Sequence, residues 1–169
     1  CDAETARKAG ACAARGLGAS GLTFLAENHR LAAEMAFGLA LKAYDFAPHK
    51  TAPAKPVGPA RFWVRDPEKI AAAAAPGAAV AEGVFFARDL VNEPANILTT
   101  NDFAARLAAM QDLGLDVEIL EEADMARLGM GALLGVGQGS ESPSKLVVMH
   151  WRGGAEGAKP LALIGKGVV

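Results

Sequence analysis

The 169 residues carry 17 basic and 19 acidic side chains, a net charge of −2, so the chain offers no general field for nucleic acid or an anionic membrane surface. Hydrophobic residues make up 51% and aromatic residues only 6%, which excludes disordered and disulfide-held classes and predicts an interior close-packed from Ala and Gly. The length suits one domain or one and a part; Cys rather than Met at position 1 and the apolar Val168 and Val169 at the other end suggest a fragment at both termini.

Taken in order, Ala3 to Arg15 reads as a helix of Ala, Lys and Arg, stopped by Gly16, Gly18 and Gly21. Cys12 lies on it, with ten residues between it and Cys1, a spacing that fits neither a redox pair nor a zinc pair and predicts two reduced thiols. Leu22 to Leu25 is a short strand. Asn28 is the expected cap of a second helix, with Leu31, Met35 and Leu39 in one stripe and Ala32, Ala36 and Ala43 beside it, finished by Tyr44, Asp45 and Phe46. From Pro48 to Pro59 the four prolines at 48, 53, 56 and 59, with Gly58, His49, Lys50 and Lys55, predict an extended surface loop. Phe62 to Val64 is a strand. The alanine run at Ala71 to Ala75 favours helix until Pro76-Gly77 breaks it. The longest apolar-looking run, Ile70 to Val80, contains that break and is far short of the ~20 residues that span a bilayer, so no transmembrane segment is expected.

The stretch Phe85 to Phe103 joins two halves. Before it, Val80, Val84, Ala87 and Val91 recur as one apolar face of a connecting helix, 78–91. Pro94 ends that helix, and Pro94 to Leu98 should leave as an extended segment. Thr99 or Thr100 then caps another helix, with Asn101 and Asp102 in its first turn and Phe103, Leu107 and Met110 on one face, ending at Gly114. Asp116 to Leu120 reads as a strand, Glu121 to Leu128 as a short helix stopped by Gly129. Lys145 to Trp151 and Leu161 to Ile164 are near-continuous apolar runs that fit strands buried on both faces. Alternation of helices and strands gives an α/β class with a largely parallel sheet and no internal repeat.

Most candidate chemistry fails on spacing. The glycines from Gly129 to Gly139 do not form G-x-G-x-x-G directly after a strand, so a dinucleotide site is not supported. Gly165-Lys166 lacks the earlier glycine of a phosphate loop, Pro160 standing there, and Gly167 replaces its Ser or Thr. Ser140 is outside any G-x-S-x-G elbow. His29, His49 and His150 are scattered and read as surface or satisfied groups. Lys166 is different: it stands at the carboxyl end of an apolar run between two glycines, the end of an α/β strand where ligands collect. The residues alone favour a strand-end lysine reaching solvent over a ligand.

Five stretches carry a family resemblance: AYDFAPHKT at Ala43 to Thr51, ARDLVNEPANILT at Ala87 to Thr99, GMGALLGVGQGS at Gly129 to Ser140, KLVVMHWRGG at Lys145 to Gly154 and LALIGKGVV at Leu161 to Val169. In that order they resemble the leucyl (cytosol) aminopeptidases of the two-metal, hexameric type. The resemblance implies the end of an N-terminal α/β domain over residues 1–77, the connecting helix, and the first part of a catalytic α/β domain over residues 92–169. It implies a cytoplasmic enzyme that releases N-terminal residues, preferentially leucine, from peptide substrates, using two divalent ions, zinc or manganese, in a homo-hexamer. In that family the lysine of Gly-Lys-Gly is a metal ligand, which carries over to Lys166; the remaining ligands and the catalytic groups match nothing here, so this chain by itself is expected to be inactive. The alternative is a DNA-binding or non-catalytic α/β interaction module, for which the near-neutral charge gives no support.

Overall fold

The computed structural model describes residues 2–52 and 56–168. Cys1, Pro53, Lys55 and Val169 therefore lie outside the described residues. The chain divides into two compact units, 1–92 and 93–169.

The first unit opens with α1 (Ala3–Ala13), capped by Asp2, whose carboxylate accepts from the Thr5 N–H at 2.8 Å, and closed by a 3-10 turn at Ala14–Gly16. Strand β1 (Leu22–Glu27) follows, then α2 (Ala32–Ala43) and β2 (Ala60–Val64), which pairs parallel to β1 with Leu22 opposite Ala60 and Phe24 opposite Phe62. The Phe24 and Phe62 rings stack at 4.4 Å. Two parallel strands need a crossover, and α2 with the proline loop supplies it. The register slips between Leu25 and Glu27, and Glu27 takes φ 28, the left-handed side that non-glycine residues rarely adopt.

Asn28 is not the cap of α2. The chain turns first, with the His29 N–H on the Ala26 carbonyl and the Ala32 N–H on the His29 carbonyl, so Leu31 takes the cap position and the His29 Nδ1 accepts its N–H at 3.2 Å. On α2 the buried line runs through Ala32, Gly38 and Leu39, with Leu31 and Met35 half-buried. Gly38 is there because α1 is in contact: a Cβ on Gly38 would lie 2.0 Å from the Arg7 carbonyl oxygen, and one on Gly10 would lie 1.9 Å from that of Met35. Across the same junction Arg7 pairs with Glu34 at 2.5 Å.

Helix α3 (Pro67–Asn92) overturns the expected break at Pro76-Gly77: it runs through both residues. A proline inside a helix removes one ladder bond and crowds the carbonyl four residues back, here Ala72, but the surrounding side chains are alanines that leave room for the ring. The uninterrupted helix has 26 residues and, contrary to the shorter run expected, is long and apolar enough by composition to cross a membrane. Within its own unit it packs on α2. The Tyr44 hydroxyl donates to Asp89 at 2.8 Å and accepts from the Asn92 amide at 3.0 Å, the Arg88 guanidinium donates to the Leu41 carbonyl at 2.7 Å, and the Tyr44 and Phe85 rings meet at 5.4 Å. These contacts also correct the predicted face. Val80 and Val91 are 55% and 84% exposed and Ala87 is exposed, whereas the packed line passes through Ala74, Gly77, Ala81, Phe85 and Asp89. The valine spacing marks a real apolar stripe; the α2 contact selected the neighbouring one, where Gly77 lies against the Phe37 ring.

In the second unit the residues after Pro94 form a turn and not the extended segment expected: the Ile97 and Leu98 N–H groups both donate to the Pro94 carbonyl at 2.9 Å. Proline biases the residue before it, Glu93, but its own carbonyl is free to close a turn, and Asn96 suits one. Helix α4 (Thr100–Ala108) starts on Thr99, continues as a 3-10 turn over Ala109–Leu113 and ends at Gly114, φ 88. Strand β3 (Asp116–Leu120) and α5 (Glu122–Arg127) follow the reading closely; β4 (Leu146–His150) forms where a strand was expected but is not buried on both faces, being half-buried over Leu146 to Val148 and exposed at Met149 and His150, with β3 as its partner. Between them α6 (Gly131–Gly137) is a helix where only a glycine-rich connection was read; Gly137 permits it to lie against Ser144, whose Oγ would be 1.9 Å from a Cβ there. The α/β class holds. Parallel pairing describes β1 and β2, while β3 and β4 pair antiparallel, Asp116 opposite His150 and Leu120 opposite Leu146.

Leu161 to Ile164, expected as a strand buried on both faces, is not one here. Leu161, Leu163 and Ile164 are exposed, Ile164 at 98%, because a strand needs a partner for its ladder and none of the described residues pairs with this run. The core of each unit is small-residue packing, as the composition predicts: Ala6, Ala26, Ala32, Leu39 and Ala81 in the first, Ala104, Leu107 and Met125 in the second.

Candidate functional site

Next to Lys166, Gly167 approaches Phe103 at the start of α4, and the second unit is fastened around that helix start. Thr99 accepts from the Asp102 N–H and Asp102 accepts from the Thr99 N–H, a reciprocal cap that also holds the Asp102 carboxyl below its ordinary range, first through the Thr99 hydroxyl and then through the Thr99 backbone. Just before it, Glu93 pairs with Arg106 at 2.9 Å; the Glu93 side chain is 5% exposed, so this link between the Pro94 turn and α4 is a largely desolvated one. Thr100 donates through its hydroxyl to the Pro143 carbonyl at 2.7 Å, and the buried Ser144 donates its N–H to Glu122 at 2.8 Å. Lys145 pairs with Glu121 and Arg152 with Asp116 at 2.5 Å, which keeps the Asp116 carboxyl low. Together these bonds fasten α4, α5 and both ends of β4 to one another.

Against this frame the segment Gly165-Lys166-Gly167 passes α4. A Cβ on Gly167 would sit 2.2 Å from the Phe103 ring, whereas around Gly165 nothing lies within 4 Å. Lys166 is exposed, and among the described residues its amine makes no hydrogen bond or ion pair. Those features fit a metal ligand: a nitrogen donor left uncommitted, on a backbone that glycines make approachable. Among the described residues no group of three or more His, Cys, Asp or Glu is gathered closely enough to hold a metal ion. The histidines lie on separate elements: His29 accepts the Leu31 N–H in the turn before α2, His49 lies in the loop beside the Phe46 ring, and His150 ends β4. Cys12 is an exposed free thiol. The glycines of 129–139 fold into α6 and the turns beside it, not into a phosphate loop.

Two features had no sequence signal of their own. The partner of Glu93 is thirteen residues away on the next helix, and nothing in local periodicity selects Arg106 from the other cations. The seat of Gly167 on Phe103 joins residues 64 positions apart. Thr99, in contrast, was readable from Thr-x-x-Asp ahead of an apolar helix.

The fold and this loop define an α/β protein with an exposed lysine between two glycines beside the start of α4. Residues 85–169 match the model of the cytosol aminopeptidase family, catalytic domain. The chain belongs to the cytosol aminopeptidase family. It is 64% identical over its whole length to a probable cytosol aminopeptidase of Cereibacter sphaeroides, of which it spans 35%, and 60% identical over 97% of its length to one of Dinoroseobacter shibae, of which it spans 33%. The chain thus covers about a third of the length of these curated relatives. Among solved structures, the bottromycin maturation enzyme BotP in complex with Mn matches 88% of this chain and 33% of its own with a TM-score of 0.72 and 33% identity. The cytosol aminopeptidase from Coxiella burnetii, 18% identical, matches 89% of the chain with a TM-score of 0.67 and shares the fold.

Proposed function

We propose that this chain contributes about a third of a metal-dependent aminopeptidase that removes N-terminal residues, leucine by preference, from peptides in the cytosol. Its residues 1–77 would close an N-terminal domain, 78–91 connect, and 92–169 begin the catalytic domain. The observation that carries the reading is Lys166: an uncommitted amine between two glycines, in a chain of this family. Lys166 would hold one of two divalent ions, zinc or manganese; when bound, such ions activate water and polarise the scissile carbonyl. The chain's own part would be the Lys166 nitrogen, whose lone pair a bound divalent ion would take in place of a proton. A homo-hexameric assembly belongs to the same proposal.

The test uses the full-length protein. Lys166→Arg keeps the charge but offers no lone pair, so it is expected to lower metal content and abolish leucine release from a leucyl anilide together, as Lys166→Ala should. An arginine variant that kept both metals and most of its rate would remove Lys166 from the site. The isolated 169-residue chain should release no leucine, because one ligand cannot assemble a metal pair.

A further inference from the structure

The Gly167 contact points beyond the ligand to what sets its position, and the inference rests on the reading of Lys166 as a ligand. An ideal Cβ on Gly167 would lie 2.2 Å from Cε1, 3.0 Å from Cδ1 and 3.2 Å from Cζ of Phe103. The backbone directly after Lys166 is therefore seated on that ring with room for hydrogen only. Gly165, on the other side of Lys166, meets nothing within 4 Å, so the constraint acts from one side. The backbone that carries the ring is anchored, and Phe103 itself is half-buried. Phe103 lies in the first turn of α4, its N–H donates to the Thr99 carbonyl at 2.9 Å, and it precedes the buried Ala104. Thr99 is fixed by the reciprocal cap with Asp102, and α4 is tied to the Pro94 turn through Glu93 and Arg106.

We propose that Phe103 is a positioning residue for Lys166: its ring is the floor that sets the course of the Gly165 to Gly167 backbone, and Gly167 is glycine because that floor is in contact. A side chain at 167 must lift the loop or push the ring aside. Either movement would displace the Lys166 amine, and metal sites lose about 10- to 100-fold in affinity when residues supporting a ligand are altered.

The experiment titrates the metal-free full-length protein with manganese ion and follows thermal unfolding in parallel. Gly167→Ala is expected to weaken one site by about 10- to 100-fold while cooperative unfolding persists. Combining it with Phe103→Leu, which vacates the space the new methyl needs, should recover most of that loss. Parent-like affinity in Gly167→Ala, or a double variant no tighter than the single one, overturns the proposal. If Gly167→Ala does not fold, Phe103→Leu alone decides: about tenfold weaker binding at one site with an unchanged unfolding midpoint supports the floor, and unchanged affinity overturns it. Lys166→Ala separates the two layers. Unaltered affinity there removes the ligand reading itself, whereas a lost site in Lys166→Ala beside a tolerant Gly167→Ala removes only the role of Phe103.

Discussion

In the first unit α1 and α2 touch backbone to backbone, Gly10 against the Met35 carbonyl and Gly38 against that of Arg7, with the small Ala6 and Ala32 buried alongside. In the second, side chains reach for backbone ends and for each other: Thr99 and Asp102 cap α4, Asp124 accepts the Glu121 N–H at 3.0 Å, Thr100 finds Pro143, and Glu93 finds Arg106. The two solutions fail differently. Close backbone contact has no slack, since an added methyl group must part whole helices, while a capped and ion-paired frame loses one bond at a time.

That contrast orders the expected effects of mutation in the 169-residue chain. Gly38→Ala should be the most damaging, costing about 3 kcal/mol, because its methyl would enter the Arg7 carbonyl and neither partner is a flexible side-chain end. Urea unfolding that matched the parent would mean that α1 and α2 can separate freely, and the contrast would collapse. Arg106→Met should cost about 2 kcal/mol by removing the ion pair to the nearly buried Glu93 carboxylate; a neutral result would show that this pair does not hold α4 to the Pro94 turn. Thr99→Ala should cost about 1 kcal/mol, the ordinary value of a cap.

The same cap has a pH signature. Because the folded Asp102 carboxyl is held below its unfolded value, its contribution is complete above about pH 4 and disappears as pH falls through the lower folded value. Unfolding of Thr99→Ala should therefore be less steepened by acid than that of the parent over that window. Equal acid slopes would show that Thr99 does not set the Asp102 equilibrium. Smallest of all, Val91→Asp should change stability by less than ~0.5 kcal/mol, since Val91 is 84% exposed. A large loss on thermal unfolding would restore the valine stripe as a packed face.

Local chemistry was legible where neighbours in sequence decide the outcome. Asp116 to Leu120 alternates and is a strand; the Thr99 hydroxyl caps the start of α4, and Gly114 stops the 3-10 turn after it at φ 88, a conformation glycine adopts freely. Readings failed where a distant partner decided. Which stripe of α3 is packed depends on Tyr44 and Phe37 of the preceding segments, and Pro76 is tolerated because of its alanine neighbours. Leu161 to Ile164 has strand composition but no described strand to pair with. At the candidate site, Lys166 was marked by its two glycines and the family resemblance, while Phe103 was read only as an apolar helix position; no spacing rule links residues 64 positions apart.

Pro76 also divides the kinetics of its helix. Lacking an N–H, it leaves the Ala72 carbonyl outside the ladder, so the turns before and after it are joined covalently but share no hydrogen bond at that point. The earlier part, through the alanine run, is mostly exposed, whereas the later part is fastened at Ala81, Phe85 and Asp89. Amide protons of Ala71 to Ala75 should accordingly exchange with solvent through frequent local opening, while those beyond Ala81 wait for larger openings of the unit. One continuous rod to the eye is two protected segments to the solvent.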